Sequence, residues 1–420
     1  MASSRVHTCL TFALVAVATA ALAACSGNQQ AGQQSSSSGQ AAGSVIRIGV
    51  DLPLSGGDAS DGVPTENGVK LAVIEANKRH LIPGYTLEAS ITDDAVNGVH
   101  SPNQGVKNLQ AFASDASVLG VVGPFNSNVA KAEIPVSNSL GIALISPSTT
   151  NPDLTKGPMA PTLRRTNPDK ITYFRVCATD DLQGPAGADY AALTLHLRKA
   201  YVLDDNETYG RGVADQWAAE FAKDGGTILG HDHITKGQQD FHALLTRVGS
   251  VNPDVLFYGG TTSTGGGLVR KQMADTGLGA LPYFGADGVR NDEFLRAADG
   301  AADDSYATVA AVNADRIPAA KDFLAAYQQQ FQQPVGSYSA NGYVSAMVLI
   351  DAINSAMKAN GGSLPSRAQV LDQLRSGKVF HSIIGTFSFD QNGDSTNKII
   401  SIYAVRNGTW VFLTQKNYAK

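Results

Sequence analysis

From residue 45 onward the chain repeats a short apolar run, a polar or glycine-rich turn, and an amphipathic helical stretch. Apolar runs of four to eight residues without alternation are the mark of strands buried on both faces, and their alternation with helices predicts parallel sheets. Strands are predicted over 45–54, 85–93, 118–122 and 142–145, with helical segments between them, such as 69–78 after the break at Ser55, Gly56 and Gly57. A second series begins near Asn167, with strands over 200–203, 227–233, 255–258 and 282–284 and helices over 212–224 and 241–248. The fold class is therefore α/β, with two units rather than one.

Unusual polar residues cluster just after the predicted strands, over 123–127, 146–150, 204–209, 259–264 and 285–288. Open α/β sheets bind ligands outside the carboxyl edge of their strands, so two such edges facing each other would enclose a small molecule. Ser127 and the run Ser148, Thr149, Thr150 bring hydroxyls beside backbone N–H groups at helix starts, a combination that holds a carboxylate without a cationic side chain. Asp287, between Gly285 and Gly288, is placed to pair with an ammonium group. Tyr209 and Tyr338 are candidate walls.

The amino terminus reads as an address. An apolar stretch over 9–23, preceded by Arg5, is too short for a permanent membrane helix and fits a signal peptide over 1–24. It ends in Leu22-Ala23-Ala24-Cys25, which resembles a lipoprotein processing site, so Cys25 is expected to carry a diacylglycerol. The Ser, Gly, Gln and Ala of 25–44 then form a flexible tether. Attachment is to the extracytoplasmic face of the cell membrane, through lipid only.

Composition narrows the function. A chain of 420 residues with 43% hydrophobic content builds a large core, while a net charge of -5 and the lack of a Lys/Arg run argue against nucleic acid as a partner. Of three cysteines, only Cys177 lies in the folded part, where it is expected to be a plain buried thiol. No nucleophile elbow, zinc-helix motif, phosphate loop or Cys-x-x-Cys occurs, so neither an enzyme nor a cofactor is expected. His231 and His233 share a strand face, but with no third ligand near them in sequence they read as a solvated face rather than a metal site. The pairs Asp93-Asp94 and Asp204-Asp205 read as helix caps or braces of cleft loops.

At this point the sequence resembles the leucine/isoleucine/valine-binding family of type I periplasmic binding proteins. Leu54-Ser55-Gly56, Asp93-Asp94, Val121-Val122-Gly123-Pro124, Ile145-Ser146-Pro147, Tyr209-Gly210-x-Gly212, Asp240-Phe241, Tyr258-Gly259-Gly260 and Phe389-Asp390-x-x-Gly393-Asp394 follow that family's landmarks in order. The resemblance implies two doubly wound parallel-sheet lobes joined by three hinge crossings. Lobe 1 would be 45–166 with 313–382, and lobe 2 would be 167–312 with 383–420. It further implies that Ser127 and Thr150, with the backbone of Ser148, hold an α-carboxylate, that Tyr209 closes on the ligand, and that Asp287 takes the ammonium where branched-chain binders have a glutamate. Thr261 stands where those binders often have a tyrosine, and Asp61 falls near an aromatic position of theirs. Val96 and Asn126 replace the family's cysteine pair. With Phe125, Asn126, Asp61 and Tyr338, these departures point to a mixed pocket for a polar or larger side chain.

The expected function is capture of an amino acid or similar small zwitterion for an ABC importer, with its permease subunits as protein partners. Two other readings stay open: a lipoprotein that senses the same ligands for a receptor, and a binder of an amide or small carboxylate. A lipoprotein hydrolase lacks its nucleophile.

Overall fold

The structure is a computed structural model and describes residues 44–418; the signal peptide, Cys25 and most of the tether lie outside the described residues. The first sheet has five parallel strands in the spatial order Tyr85–Asp93, Ser44–Leu52, Val118–Val122, Ala143–Ser146, Tyr173–Arg175. The second has seven, beginning at one edge with Thr227–His233 and running through Lys199–Asp204, Val255–Gly259, Tyr283–Gly285, Ser305–Val309, Ile399–Arg406 and Thr409–Asn417. Its first five are parallel, and the last two form an antiparallel hairpin added to Ser305–Val309.

Every residue of Val118–Val122 is buried, which is why that strand shows no alternation in sequence. Helices cover both faces of the sheet, and one of them, Ser339–Ala359, comes so close that a Cβ on Gly120 would lie 2.7 Å from Leu349. The same helix crosses Ala59–Lys78, where a Cβ on Gly68 would lie 2.1 Å from the carbonyl oxygen of Ser339. Ala59–Lys78 thus starts ten residues before the predicted 69–78, because its first half packs through glycine and backbone rather than through an apolar stripe.

The chain passes between the sheets three times: after Arg175, after Val309, and before Ile399. The first sheet therefore runs past the expected boundary at 166, since the strand Tyr173–Arg175 pairs with Ala143–Ser146. A three-residue strand ending in arginine carries no apolar signal. Its arginine is fully buried and serves the crossings: Nε donates to Asp394 Oδ1 at 2.7 Å, and one terminal nitrogen donates to the carbonyls of Thr149 and Asn151 at 3.0 and 2.8 Å. The first two crossings are joined by the bond from Ala178 N to Ala310 O at 3.0 Å. Among the described residues no helix is long and apolar enough to cross a membrane.

Candidate functional site

The carboxyl edges of both sheets meet at one cleft. In the first lobe Ser127 opens the helix Ser127–Leu140 and is buried, its Oγ accepting the N–H of Asn151 at 3.3 Å. Ser148 Oγ donates to Phe125 O at 2.9 Å and ties the two loops together. Thr149 turns the other way, donating to Ser146 Oγ at 2.8 Å and meeting the Tyr173 hydroxyl, so its side chain belongs to the core of its lobe rather than to the cleft. The hydroxyl of Thr150 lies beside the carboxylate of Asp180, and neither completes a hydrogen bond of good geometry; Asn126 Oδ1 is a further buried oxygen without a partner. The N–H of Asp180, first residue of the helix Asp180–Asp189, donates to Thr150 O at 2.9 Å.

From the second lobe comes Asp287, at the start of the turn Asp287–Val289 that follows Tyr283–Gly285. It is buried and accepts three hydrogen bonds: from Tyr209 Oη at 2.7 Å, Gln183 Nε2 at 2.6 Å and Tyr338 Oη at 2.8 Å. Tyr338 reaches it from the first lobe, its ring edge-on to Phe125 at 5.6 Å between centroids. All three donors are neutral. Burial pushes the Asp287 carboxyl above the usual range, and the hydrogen bonds from Tyr209, Gln183 and Tyr338 offset only part of this. Burial and then the charge of Asp287 raise Asp180 well above its ordinary value, and burial does the same to Asp61, with Asp287 again among the charges that add to it. Three carboxylates thus crowd one buried region, and a ligand cation placed against Asp287 would relieve all of them.

Two predicted residues sit at the rim. Thr261 does not bring its hydroxyl to Asp287; it is engaged within its own turn, 2.9 Å from Ser263 Oγ. Its Cα lies against Gly288, where a Cβ would come 3.1 Å from it and 2.5 Å from the carbonyl oxygen of Gly260. Asp61 Oδ2 accepts Asn291 Nδ2 at 2.6 Å across the cleft and borders an opening of about 710 Å³ lined also by Arg290, Ser337 and Trp410.

Further bonds hold the lobes together. Asn151 Nδ2 donates to Thr208 O at 2.6 Å, and Glu207 accepts from Asn128 at 2.7 Å while Lys236 of its own lobe holds its other oxygen at 2.9 Å. His100, buried in the first lobe, donates Nε2 to Glu207 Oε2 at 2.7 Å and Nδ1 to Asp58 Oδ2 at 2.5 Å. Burial opposes charge on this ring, yet Asp58 and Glu207 outweigh it and push its pKa up to about 10. The acidic pairs brace loops and cap no helix: Asp93 Oδ1 accepts the N–H groups of Leu54 and Ala95, and Asp205 accepts the Glu207 N–H and the Thr264 hydroxyl. Sequence reasoning missed Asp180 and Gln183, because they follow the hidden strand Tyr173–Arg175, and it missed His100 and Glu207, because their partnership spans 107 positions.

The chain matches the sequence profile of the periplasmic binding protein family over residues 45–409. A Leu/Ile/Val-binding protein of Rhizobium johnstonii, BraC3, is 33% identical over 364 residues, covering 85% of this chain and 91% of its own. The crystal structure of the leucine-binding protein LivK of Thermotoga maritima matches with a TM-score of 0.77 at 25% identity, over 89% of this chain and 99% of that one. The branched-chain amino acid transporter substrate-binding protein LivJ of Streptococcus pneumoniae, solved with isoleucine, matches with a TM-score of 0.75 at 24% identity, over 90% of this chain and all of that one. The chain belongs to the periplasmic binding protein family.

Proposed function

We propose that the protein is the extracytoplasmic capture subunit of an ABC importer, closing its two lobes on an amino acid or similar small zwitterion and presenting the closed form to the permease. It performs no chemistry itself. It is held to the membrane by a lipid on Cys25, after removal of 1–24, and reaches its ligand on the tether 25–44. The lobes that close are 45–166 with 313–382 and 167–312 with 383–420, the strand Tyr173–Arg175 and the whole hairpin Phe380–Phe387 moving with the first.

The observation that carries this reading is Asp287: a buried carboxylate at the carboxyl edge of a strand, given three neutral donors. An α-ammonium there makes a charge-assisted contact that no side chain of the cluster supplies. Ser127, Thr150 and the backbone at Ser148 form the opposite end, where the α-carboxylate binds. Tyr209 and Tyr338 close over the amine, while Phe125, Asn126 and Asp61 bound the side chain. Names and titles of relatives point to Leu, Ile and Val as their ligands; here the polar Asp61 and Asn126 favour a more polar or larger side chain.

Calorimetry across amino acids, amides and small carboxylates tests the reading, with Asp287→Asn as the decisive variant. Enclosing an ammonium without its full partner is expected to weaken binding by about 2 to 5 kcal/mol. An analogue lacking the amine should bind both proteins alike. Undiminished affinity of Asp287→Asn for the amine-bearing ligand, or equal losses for both ligands, would return Asp287 to a structural role.

A further inference from the structure

His231 and His233 stand two positions apart on the edge strand Thr227–His233 and so present both rings on one face. The structure adds what the sequence did not place near them. The neighbouring strand Lys199–Asp204 runs parallel in the register Val202↔His231 and Asp204↔His233, which brings the Asp204 carboxylate under both rings. Asp204 Oδ2 lies 2.6 Å from His231 Nε2, and both carboxylate oxygens lie 2.8 Å from His233 Nδ1. One ligand atom from each of the three residues falls within 4.8 Å of the others.

We propose that Asp204, His231 and His233 form a divalent transition-metal site on the outer edge of the second lobe, taking an ion such as zinc through two imidazole nitrogens and one carboxylate oxygen, with water as the fourth ligand. Two imidazoles select a borderline transition metal over magnesium or calcium, which seek oxygen. Bonds of about 2.0–2.2 Å in a tetrahedron separate ligand atoms by roughly 3.3 Å, so each imidazole nitrogen need draw away from Asp204 by only about 0.5 to 0.7 Å as the metal replaces the protons between them. The site has a fixed floor and an open mouth. The Asp204 side chain is fully buried and is further held by the Asn206 N–H at 2.7 Å, whereas the His231 and His233 side chains are 24% and 43% exposed. Asp215 Oδ1 stands 4.0 Å from His231 Nδ1, the ring nitrogen turned away from Asp204, outside hydrogen-bond reach. Asp204 also begins the segment that carries Glu207 and Tyr209 into the cleft, so a bound ion would staple the root of that segment to the edge strand.

The test uses the purified protein without a histidine tag, stripped with EDTA and titrated calorimetrically with zinc chloride, magnesium chloride serving as the comparison ion. The expected result is one saturable zinc per chain and no magnesium binding, with cobalt(II) giving the intense visible absorption of a tetrahedral site. His231→Gln with His233→Gln should abolish binding while leaving the far-ultraviolet circular dichroism of the metal-free protein unchanged. Absence of saturable zinc binding in the parent protein, or retention of the same site in the double variant, would overturn the proposal.

Discussion

His100 and Glu207 meet across the cleft, Nε2 to Oε2 at 2.7 Å, with Asp58 closing on the other ring nitrogen at 2.5 Å. The charge on His100 is matched from both lobes. Its folded pKa is raised to about 10, so its contribution to stability is complete below its unfolded value of about 6.5 and is lost as pH rises toward 10. Burial raises Asp58 and Glu207, but His100 outweighs it and leaves both lowered, so their contributions hold above about 4.5 and vanish as pH falls below it. Thermal melts should therefore show a parent-minus-variant difference, against His100→Gln, that is greatest near pH 5 to 6 and shrinks in both directions. A difference that grows above pH 7 would contradict this arrangement.

Removing either hydroxyl of the first-lobe anchor is expected to weaken ligand binding by about 1.5 to 3 kcal/mol, the range of a hydrogen bond to a charged group. Ser127→Ala and Thr150→Ala should both show it by calorimetry, with less compaction on ligand addition by small-angle scattering. Thr149→Val should behave differently, losing about 1 to 2 kcal/mol of unfolding free energy while keeping parental affinity, because its hydroxyl serves Ser146 and Tyr173.

Arg175→Met strips Asp394 of its buried partner. An uncompensated buried charge costs about 3 to 5 kcal/mol, measurable by urea denaturation. Adding Asp394→Asn should restore part of that loss, since the second change removes the stranded charge. Additive losses in the double variant would show that the pair is not coupled.

Cys25→Ser is expected to leave ligand binding intact and to abolish both acyl labelling and membrane attachment, since a lipid on that sulfur acts outside the folded part. Continued acylation of the variant would refute the reading of Leu22 to Cys25.

The sequence displayed those elements whose burial is two-sided and whose residues are apolar. The strands Val118–Val122 and Val255–Gly259, buried at every residue, fall where the apolar runs place them. Elements held by other forces were hidden: Tyr173–Arg175 by its arginine, and the first half of Ala59–Lys78 by glycine-mediated backbone contact. At the cleft, Asp287 and Tyr209 were legible because polar residues after a strand are conspicuous, Tyr338 was singled out as an aromatic wall, and the structure brings all three together. Thr149 was not separable from Thr150, because adjacent hydroxyls at a strand end point in opposite directions only once the backbone is fixed. Asp204 as a partner of His231 and His233 depends on strand register, which no local pattern encodes.

The contact between Ala59–Lys78 and Ser339–Ala359 joins the beginning of the first lobe to a segment made near the end of synthesis. Ile46, Val50, Leu71 and Val73 share one buried cluster with Val344, Leu349 and Ile353. A growing chain therefore emerges with the apolar face of its earliest strands uncovered, and keeps it so until the last quarter is made. The second lobe's parallel strands are contiguous from 199 to 309, and only its edge hairpin, from Ile399 to Asn417, is made later. The lobe that starts first is completed late, and over that interval its exposed face is what a chaperone would hold.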